Sequence, residues 1–397
     1  GVVSAIGIGV EAFWDALAAG RSGARALALE GLGSVVVHAI DGIDGEALFG
    51  RREARRMDSV GHLAAHAATL ALADAGRLCV EPEALGASVG CAHGGASTLA
   101  AAYDTFAARG ADRVSPFAIP LLLPNSAVSA VARVHGLRGP SASPSTACAA
   151  GADAIGFAYH AIKDGRAEAM VAGGADAPLV PFVIAGYRKL GALSPGTRPP
   201  EACSRPFDRG RDGFVLGEGA WMLVLEREDR ARARGAHIYA EVASYAGSND
   251  AHHIAAPHPE GIGVIGMMRH ALERAGIGLE EVGYVNAHGT STPLNDRAET
   301  AAIRAVFGAH ADALAVSSTK SMTGHLLGAA GAFETAVCAL AIEHGVVPPT
   351  INHVERDAEC DLDYVTEGAR ALRVDVALSN SMGLGGHNAC TVVRRVG

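Results

Sequence analysis

Apolar and polar positions alternate between two rhythms along this chain, one of helical period and one of strand period. Residues 10–19 carry apolar side chains at helical spacing and stop at Gly20, and residues 57–75 do so over a longer run closed by Gly76. Short apolar runs at 86–91, 169–172 and 221–225 read as strands. A charged run at 226–234 then reads as a solvated helix and marks a border, dividing the chain into halves at 1–235 and 236–397. Beyond it, strands are predicted at 237–246, 282–287, 314–317 and 374–379, with helices at 262–275, 296–307 and 327–344. Strands alternating with helices of this length indicate an α/β protein.

Each half also carries a small-residue helix behind a turn with a reactive side chain. The first is Cys148 with Ala149, Ala150 and Gly151, and the second is His325 with Gly328, Ala329, Ala330 and Gly331. That correspondence suggests duplication.

Composition refines this outline. A chain of 397 residues suggests two domains or two fused halves, and 49% hydrophobic residues make a large core feasible. Only 5% are aromatic, while glycine reaches 50 residues, so the core is expected to use small side chains that let elements approach closely. The net charge of −9 argues against a general nucleic-acid binder and still allows a local basic patch for an acidic partner. No apolar stretch reaches the roughly 18 residues of a membrane span, and no secretory leader is recognisable. Seven cysteines without CxxC spacing fit a reducing cytoplasm better than a disulfide framework or a zinc site. Cys79, Cys338 and Cys390 lie among apolar residues and read as core fillers.

Cys148 sits differently. Ser145-Thr146-Ala147-Cys148 leads into a helical pattern with Ile155, Tyr159 and Ile162, placing the cysteine in the first turn. Free N–H groups and the positive end of the helix dipole favour thiolate there, and the same N–H groups can bind an oxyanion. Taken alone, it reads equally well as an inert buried thiol. His288, in Asn286-Ala287-His288-Gly289-Thr290-Ser291-Thr292-Pro293, follows a strand at its carboxyl end, where open α/β folds place chemistry. Thr290 and Thr292 offer hydroxyls to the amides of an extended substrate arm. His325 repeats the arrangement of strand, polar turn, histidine and helix. Either histidine alone reads more readily as structural, but two in matching contexts beside a helix-start cysteine change that reading.

Three other signals carry less. Gly261-Ile262-Gly263-Val264-Ile265-Gly266 matches GxGxxG but follows no strand, so a dinucleotide site is set aside. His252, His253 and His258 lack regular ligand spacing and read as a solvated loop, so no metal site is expected. Arg51, Arg52, Arg55 and Arg56 form a basic run that fits both a solvated helix face and a docking patch for an acidic partner.

The ordered motifs T-A-C-A-A-G, N-A-H-G-T-S-T-P and K-S-M-T-G-H-L-L-G-A-A-G closely resemble the elongating β-ketoacyl-[acyl carrier protein] synthases. So do R-P-F-D-x-x-R-D-G-F-V-L-G-E-G-A at 205–220 and S-N-S-M-G-L-G-G-H-N near the C-terminus. The resemblance implies a thiolase fold of two similar halves in a five-layered α-β-α-β-α sandwich, with the family's first strand ahead of Gly1. It implies acyl transfer to Cys148 and decarboxylative condensation assisted by His288 and His325, for fatty acid or type II polyketide chain elongation. Lys320 and Glu334 match the family's charged pair beside the second histidine. The backbone N–H groups of Cys148 and Leu384 form the oxyanion hole by the same resemblance.

Substrates would arrive on the phosphopantetheine of acyl carrier protein with no further cofactor. The enzyme would act as a homodimer or as a heterodimer with a chain-length-factor paralogue. Met382 and Leu384 stand where the closing loop usually carries phenylalanine, the second of which gates the acyl pocket. Tyr187 stands where phenylalanine is frequent, adding a hydroxyl. A coenzyme A thiolase would need a second cysteine base, an initiating synthase an asparagine in place of His325, and a non-catalytic partner subunit would lack Cys148.

Overall fold

The computed structural model describes residues Gly1–Gly397. The first half is organised by a six-stranded mixed sheet. Its members are β1 (Val2–Ser4), β2 (Gly7–Ile8), β3 (Leu85–Gly90), β4 (Ser141–Ala142), β5 (Ala169–Asp176) and β6 (Gly219–Glu226), in spatial order β2-β1-β6-β5-β3-β4. The second half has a five-stranded sheet of β7 (Glu241–Asn249), β8 (Tyr284–Asn286), β9 (Ala315–Ser317), β10 (Val376–Gly383) and β11 (His387–Arg394), in order β7-β11-β10-β8-β9.

Eight helices concern the site: α1 (Val10–Ala18), α2 (Ser59–Ala75), α3 (Ser126–His135), α4 (Ala150–Lys163), α5 (Pro181–Lys189), α6 (Ile262–Ala275), α7 (Pro293–Phe307) and α8 (Ala330–His344). Helices α2 and α3 cover the outer face of the first sheet, α4 and α8 lie between the two sheets, and α6 with α7 covers the second sheet. The result is the five-layered thiolase-like sandwich that the motifs implied. Helix α8 is buried on almost every side, so it reads as apolar all round rather than as an amphipathic stripe.

The central layer depends on two glycines. A Cβ added to Gly151 would lie 2.8 Å from the Ala332 nitrogen and 2.8 Å from the Gly328 oxygen. One added to Gly331 would lie 2.8 Å from the Ala152 nitrogen. Backbones of α4 and α8 therefore touch near their N-termini, and no side chain fits between them.

The two halves are alike at this point, in a different register from the one expected. Residues 146–152 (TACAAGA) and 326–332 (LLGAAGA) each open with a 3₁₀ turn, at Ala147–Ala149 and at Leu327–Ala329. Each turn begins on a non-glycine residue at positive φ, 52° for Ala147 and 50° for Leu327. Cys148 thus corresponds to Gly328, and His325 lies three residues ahead of that position.

Several elements differ from the sequence expectation. The helix at 262–275 has its expected bounds, whereas β5 and β10 each run four residues further, to Asp176 and Gly383. Strand pairing with β6 and β11 extends them past their apolar runs into Gly- and Ser-containing segments that carry no hydrophobic signal. The strand expected from 237 begins at Glu241. Unforeseen elements include the hairpin Arg25–Leu29 with Gly33–His38, the helix Ala96–Arg109, and α3, α5 and β11. Cys338 and Cys390 are buried as expected, but Cys79 is exposed in a loop at φ 51°. The charged run holds a short helix, Glu228–Ala233, tethered by Arg234 to Glu226 and to the Ala75 carbonyl.

The crossing makes a direct prediction. Gly331→Ala should lower unfolding free energy by about 1–3 kcal/mol through forced backbone displacement. Gly266→Ala on α6, where an added Cβ meets nothing within 4 Å, should be neutral or slightly stabilising. Chemical denaturation of both variants checks this, and equal midpoints would contradict the close crossing.

Candidate active site

Strand register delivers three loops to one place. Asn286 at the end of β8 pairs with Ser317 of β9 on one side and Ser379 of β10 on the other. The segments leaving these carboxyl ends carry His288, then Lys320 to His325, then Gly383 and Leu384. From the other half, the turn before α4 brings Cys148 to the same point.

Cys148 lies within a strained turn. Ala147 holds a left-handed conformation that an L-residue adopts only under constraint. Part of that constraint is visible. The Thr146 hydroxyl donates to Asp153 on α4, and Asp153 also accepts from the Tyr245 hydroxyl of β7 at 2.7 Å. The sulfur is buried in a small apolar cluster with Ile184, Phe214, Leu216 and Leu327.

His325 Nε2 lies 3.1 Å from Cys148 Sγ. The Leu327 N–H donates to His325 Nδ1 at 3.3 Å, so Nδ1 is an acceptor and the neutral ring carries its proton on Nε2. The His288 ring meets His325 edge-on with centroids 5.3 Å apart. Sulfur and imidazole nitrogens of Cys148, His288 and His325 all fall within 4.8 Å of one another. Such a donor set also suits a zinc-type cation, whose binding would occupy the groups that nucleophilic chemistry needs free.

Charge around these groups is set by burial. Both histidines are held well below the usual imidazole range, first by burial and then by the Lys320 charge, with His325 adding to the effect on His288. They are neutral donors at pH 7. Lys320 and Glu334 are buried and in direct contact, as their small-residue surroundings suggested. Burial pushes the Glu334 carboxyl up to about 7, with the Lys320 charge and hydrogen bond opposing that rise.

The expectation of a lowered thiol pKa is overturned. Burial pushes Cys148 up to about 12, against the Lys320 charge and the Leu384 N–H that points at its sulfur. Desolvation outweighs the helix-terminus effect because the sulfur is sealed by apolar neighbours. Cys148 therefore rests as a thiol.

Leu384 is half-buried next to this sulfur, whereas Met382 is not part of a gate. Its side chain belongs to the outer core of the second half, with Phe207, Val285 and Leu378, on the strand face opposite Ser381 and Gly383. Gly383 instead faces the Thr146 carbonyl and the Cys148 nitrogen. Thr290 and Thr292 lie in the turn after His288, their hydroxyls 2.9 Å apart, with donor and acceptor capacity left for a third group. Arg51, Arg52, Arg55 and Arg56 are exposed on and just after the short helix Arg51–Ala54, and Arg56 lies 3.9 Å from Glu53. The segment 261–266 forms the start of α6 after a loop, and His253 and His258 use Nδ1 to accept backbone N–H groups of their own turns.

Sequence reasoning missed two carboxylates. Glu299 on α7 accepts the backbone N–H groups of His288 and Gly289, each at 2.8 Å, and so fixes that loop. Asp176, at the end of β5, accepts from Ala92 and Gly328 at 2.9 Å each and from His93 at 3.3 Å, tying the two halves beside the nucleophile. The available signal was the placement of each acid among small apolar neighbours, Gly173-Gly174-Ala175-Asp176 and Ala298-Glu299. An apolar cavity of about 330 Å³ lined by Trp221, Leu223, Tyr239 and Leu340 lies elsewhere and includes none of the site residues.

A cysteine facing two neutral imidazoles at the junction of two like halves defines a thiolase-fold condensing enzyme. Comparison with known proteins makes the assignment specific. Residues 1–231 match the N-terminal domain model of β-ketoacyl synthase and residues 239–354 match its C-terminal domain model. The chain therefore belongs to the β-ketoacyl synthase family. It is 43% identical to 3-oxoacyl-[acyl-carrier-protein] synthase 2 of Synechocystis sp., covering 100% of this chain and 96% of that one. It is 46% identical to the enzyme of that name from Staphylococcus aureus (strain COL), covering 87% and 84% respectively. Among solved structures, a β-ketoacyl synthase from Burkholderia phymatum STM815 superposes with a TM-score of 0.93 at 34% identity, covering 100% of this chain and 98% of that one. The ishigamide ketosynthase/chain length factor superposes at 0.92 and 36%, with the same coverage.

Because the thiol is the resting form, alkylation of Cys148 by iodoacetamide should rise about tenfold per pH unit from pH 7 to 10 without a plateau. The sign follows from a folded pKa above that whole window. Mass spectrometry of the modified peptide reads the rate, and a plateau beginning near pH 7 would mean a stabilised thiolate.

Proposed function

We propose that this protein is an elongating β-ketoacyl-[acyl carrier protein] synthase that joins an acyl thioester to malonyl-carrier protein by decarboxylative Claisen condensation. The observation that carries this reading is the 3.1 Å approach of His325 Nε2 to Cys148 Sγ with His288 edge-on to His325. The division into functional halves at 235/236 belongs to the same reading, with the nucleophile on 1–235 and both histidines on 236–397.

In the first step Cys148 sulfur bonds to the acyl carbon, and the thiol proton leaves with the released pantetheine thiol. The N–H groups of Cys148 and Leu384 hold the oxygen of the tetrahedral intermediate. In the second, the malonyl carboxylate departs as carbon dioxide and leaves its electron pair on the α-carbon as an enolate. Charge on the enolate oxygen is met by Nε2–H of His325, whose tautomer the Leu327 N–H fixes, and by the N–H of the neutral His288 ring. The α-carbon then attacks the acyl-cysteine, the sulfur leaves as thiolate and takes one proton, and the product is longer by two carbons. A high thiol pKa favours that reprotonation. Lys320 and Glu334 act by orienting His325, and Thr290 and Thr292 by binding the pantetheine amides.

The substrate-bearing partner is acyl carrier protein, with phosphopantetheine as the arm and no additional cofactor required. The arginine run 51–56 is the candidate docking patch. No helix is long and apolar enough to cross a membrane, and we assign a cytoplasmic location and no nucleic-acid partner. Exposed Leu99, Tyr103 and Phe106 on the helix Ala96–Arg109, with Phe117 and Ile119 on the segment beside it, support a subunit contact. A second copy of this chain would serve. A type II polyketide pairing is the second reading, favoured by two solved relatives, one titled as a ketosynthase/chain length factor and one as a type II acyl-carrier protein in complex with its ketosynthase. Thiolase chemistry on coenzyme A is disfavoured, because no cysteine base accompanies Cys148 among the site residues. A non-catalytic partner role is disfavoured by Cys148 itself.

Intact-mass measurement with acyl- and malonyl-loaded carrier protein tests the reaction. Acyl adduct should form on the parent and be absent in Cys148→Ala. His288→Ala should still acylate but lose condensation by roughly 10²–10³-fold, the effect of removing one oxyanion donor. No adduct and no carbon dioxide from the parent would end the reading. Leu384→Phe should narrow the range of acyl chains accepted, and an unchanged chain-length preference would remove Leu384 as the gate.

A further inference from the structure

The turn carrying Thr290 and Thr292 belongs to the second half, yet it is clamped by a segment of the first. Arg211 is the centre of that clamp, its side chain buried with Asp296 Oδ2 3.7 Å from Nε. Nε donates to the Thr292 carbonyl at 3.3 Å, and Nη2 donates to the Pro293 carbonyl at 3.2 Å. Nη1 donates to the Asp208 carbonyl at 3.0 Å and to Asp357 Oδ2 at 2.5 Å, which fixes the plane of the guanidinium. Ser291 is held from the same segment. Its hydroxyl accepts the Arg205 N–H and its carbonyl accepts the Gly213 N–H, each at 3.0 Å. Ser291 sits at φ 72°, a conformation that persists only where neighbours impose it.

These bonds fix the peptide plane on each side of Thr292, through the Ser291 carbonyl before it and its own carbonyl after it. With both planes set, the direction of the Thr292 side chain is set too. The result is visible in the hydroxyls. Thr292 is the N-cap of α7, a position from which threonine ordinarily accepts an N–H of the first helical turn. It makes no such bond, and its oxygen lies 2.9 Å from that of Thr290 instead. A lysine at position 211 would keep the charge, but one ammonium cannot hold two carbonyls and a carboxylate in a planar fork.

Resting on the condensing-enzyme reading and its assignment of Thr290 and Thr292 to the pantetheine amides, we propose that Arg211 is a positioning residue for the substrate arm. It acts through the Thr292 backbone to aim the paired hydroxyls. Its effect falls on recognition of the arm and leaves the chemistry of Cys148 alone.

The test follows acylation of Cys148 by intact-mass spectrometry with two donors, octanoyl-pantetheine, whose arm carries amides, and S-phenyl octanethioate, which has none. In Arg211→Lys the half-saturating concentration of octanoyl-pantetheine should rise about tenfold, the effect of one hydrogen bond, with the maximal rate within about twofold of the parent. The rate with the phenyl thioester should stay within about twofold. Asp357→Asn loosens the guanidinium from a partly exposed partner and should show the same pattern more weakly, which keeps the test open if Arg211→Lys does not fold. In a Thr290→Ala/Thr292→Val background, Arg211→Lys should add nothing to the loss with octanoyl-pantetheine. An equal fall with both donors, or an unchanged half-saturating concentration in both variants, overturns the proposal. The two readings fail separately. Acyl adduct and condensation product from the parent uphold the enzyme however the variants behave, and their absence with every donor removes both.

Discussion

The backbone contact between α4 and α8 is the constraint from which the rest follows. Two helices buried on nearly every face meet at Gly151 and Gly331, where an added methyl would strike main-chain atoms. That approach sets the separation of the two sheets and brings their loops within hydrogen-bond reach. The nucleophile's turn and the equivalent turn at Leu327 then face each other across the crossing. Gly328, in the place equivalent to Cys148, leaves room for Asp176 to accept its N–H. The two turns share one backbone form, and at the equivalent positions 148 and 328 one carries a thiol and the other a structural carboxylate contact.

Burial also sets the electrostatics. Lys320 is the single cation within this chamber, and its field discourages protonation of both imidazoles. Glu334 partners it, and Glu299 holds the His288 loop through two backbone N–H groups. Glu299 is itself pushed up to about 7 by burial, which those N–H groups and Lys320 oppose. A chamber built this way keeps histidines as donors and the sulfur as a thiol until an acyl group arrives. It suits chemistry in which negative charge forms briefly on oxygen, because the donors are fixed before that charge exists.

Much of this was legible in the chain. Helices 10–19, 57–75 and 262–275 showed their periods because one face of each meets solvent. Cys148, His288 and His325 stood out by context, and the motifs named the family. What was hidden has physical causes. The helix Ala96–Arg109 is rich in alanine, so no sharp apolar stripe marks it. Strand β5 continues through Gly173-Gly174-Ala175, which no propensity identifies as sheet. The thiol pKa was misjudged because sequence reveals the helix terminus but not the apolar lid over it. Met382 and Leu384 looked alike as departures from an aromatic pattern, yet Met382 lies within β10 and packs into the outer core, while Leu384 lies past the end of that strand with its N–H at the sulfur. Asp176 and Glu299 could be suspected from small neighbours, but their partners come from distant segments.

The strained turn at Ala147 is held from across the molecule. Its preceding threonine reaches Asp153, and Asp153 is shared with Tyr245, which belongs to the opposite sheet. The conformation that presents the sulfur is therefore not a property of its own segment. A piece of chain carrying the cysteine without the strand of Tyr245 would keep the residue and lose its posture. Reactivity here is a joint possession of both sheets, lent to the nucleophile only while they remain docked.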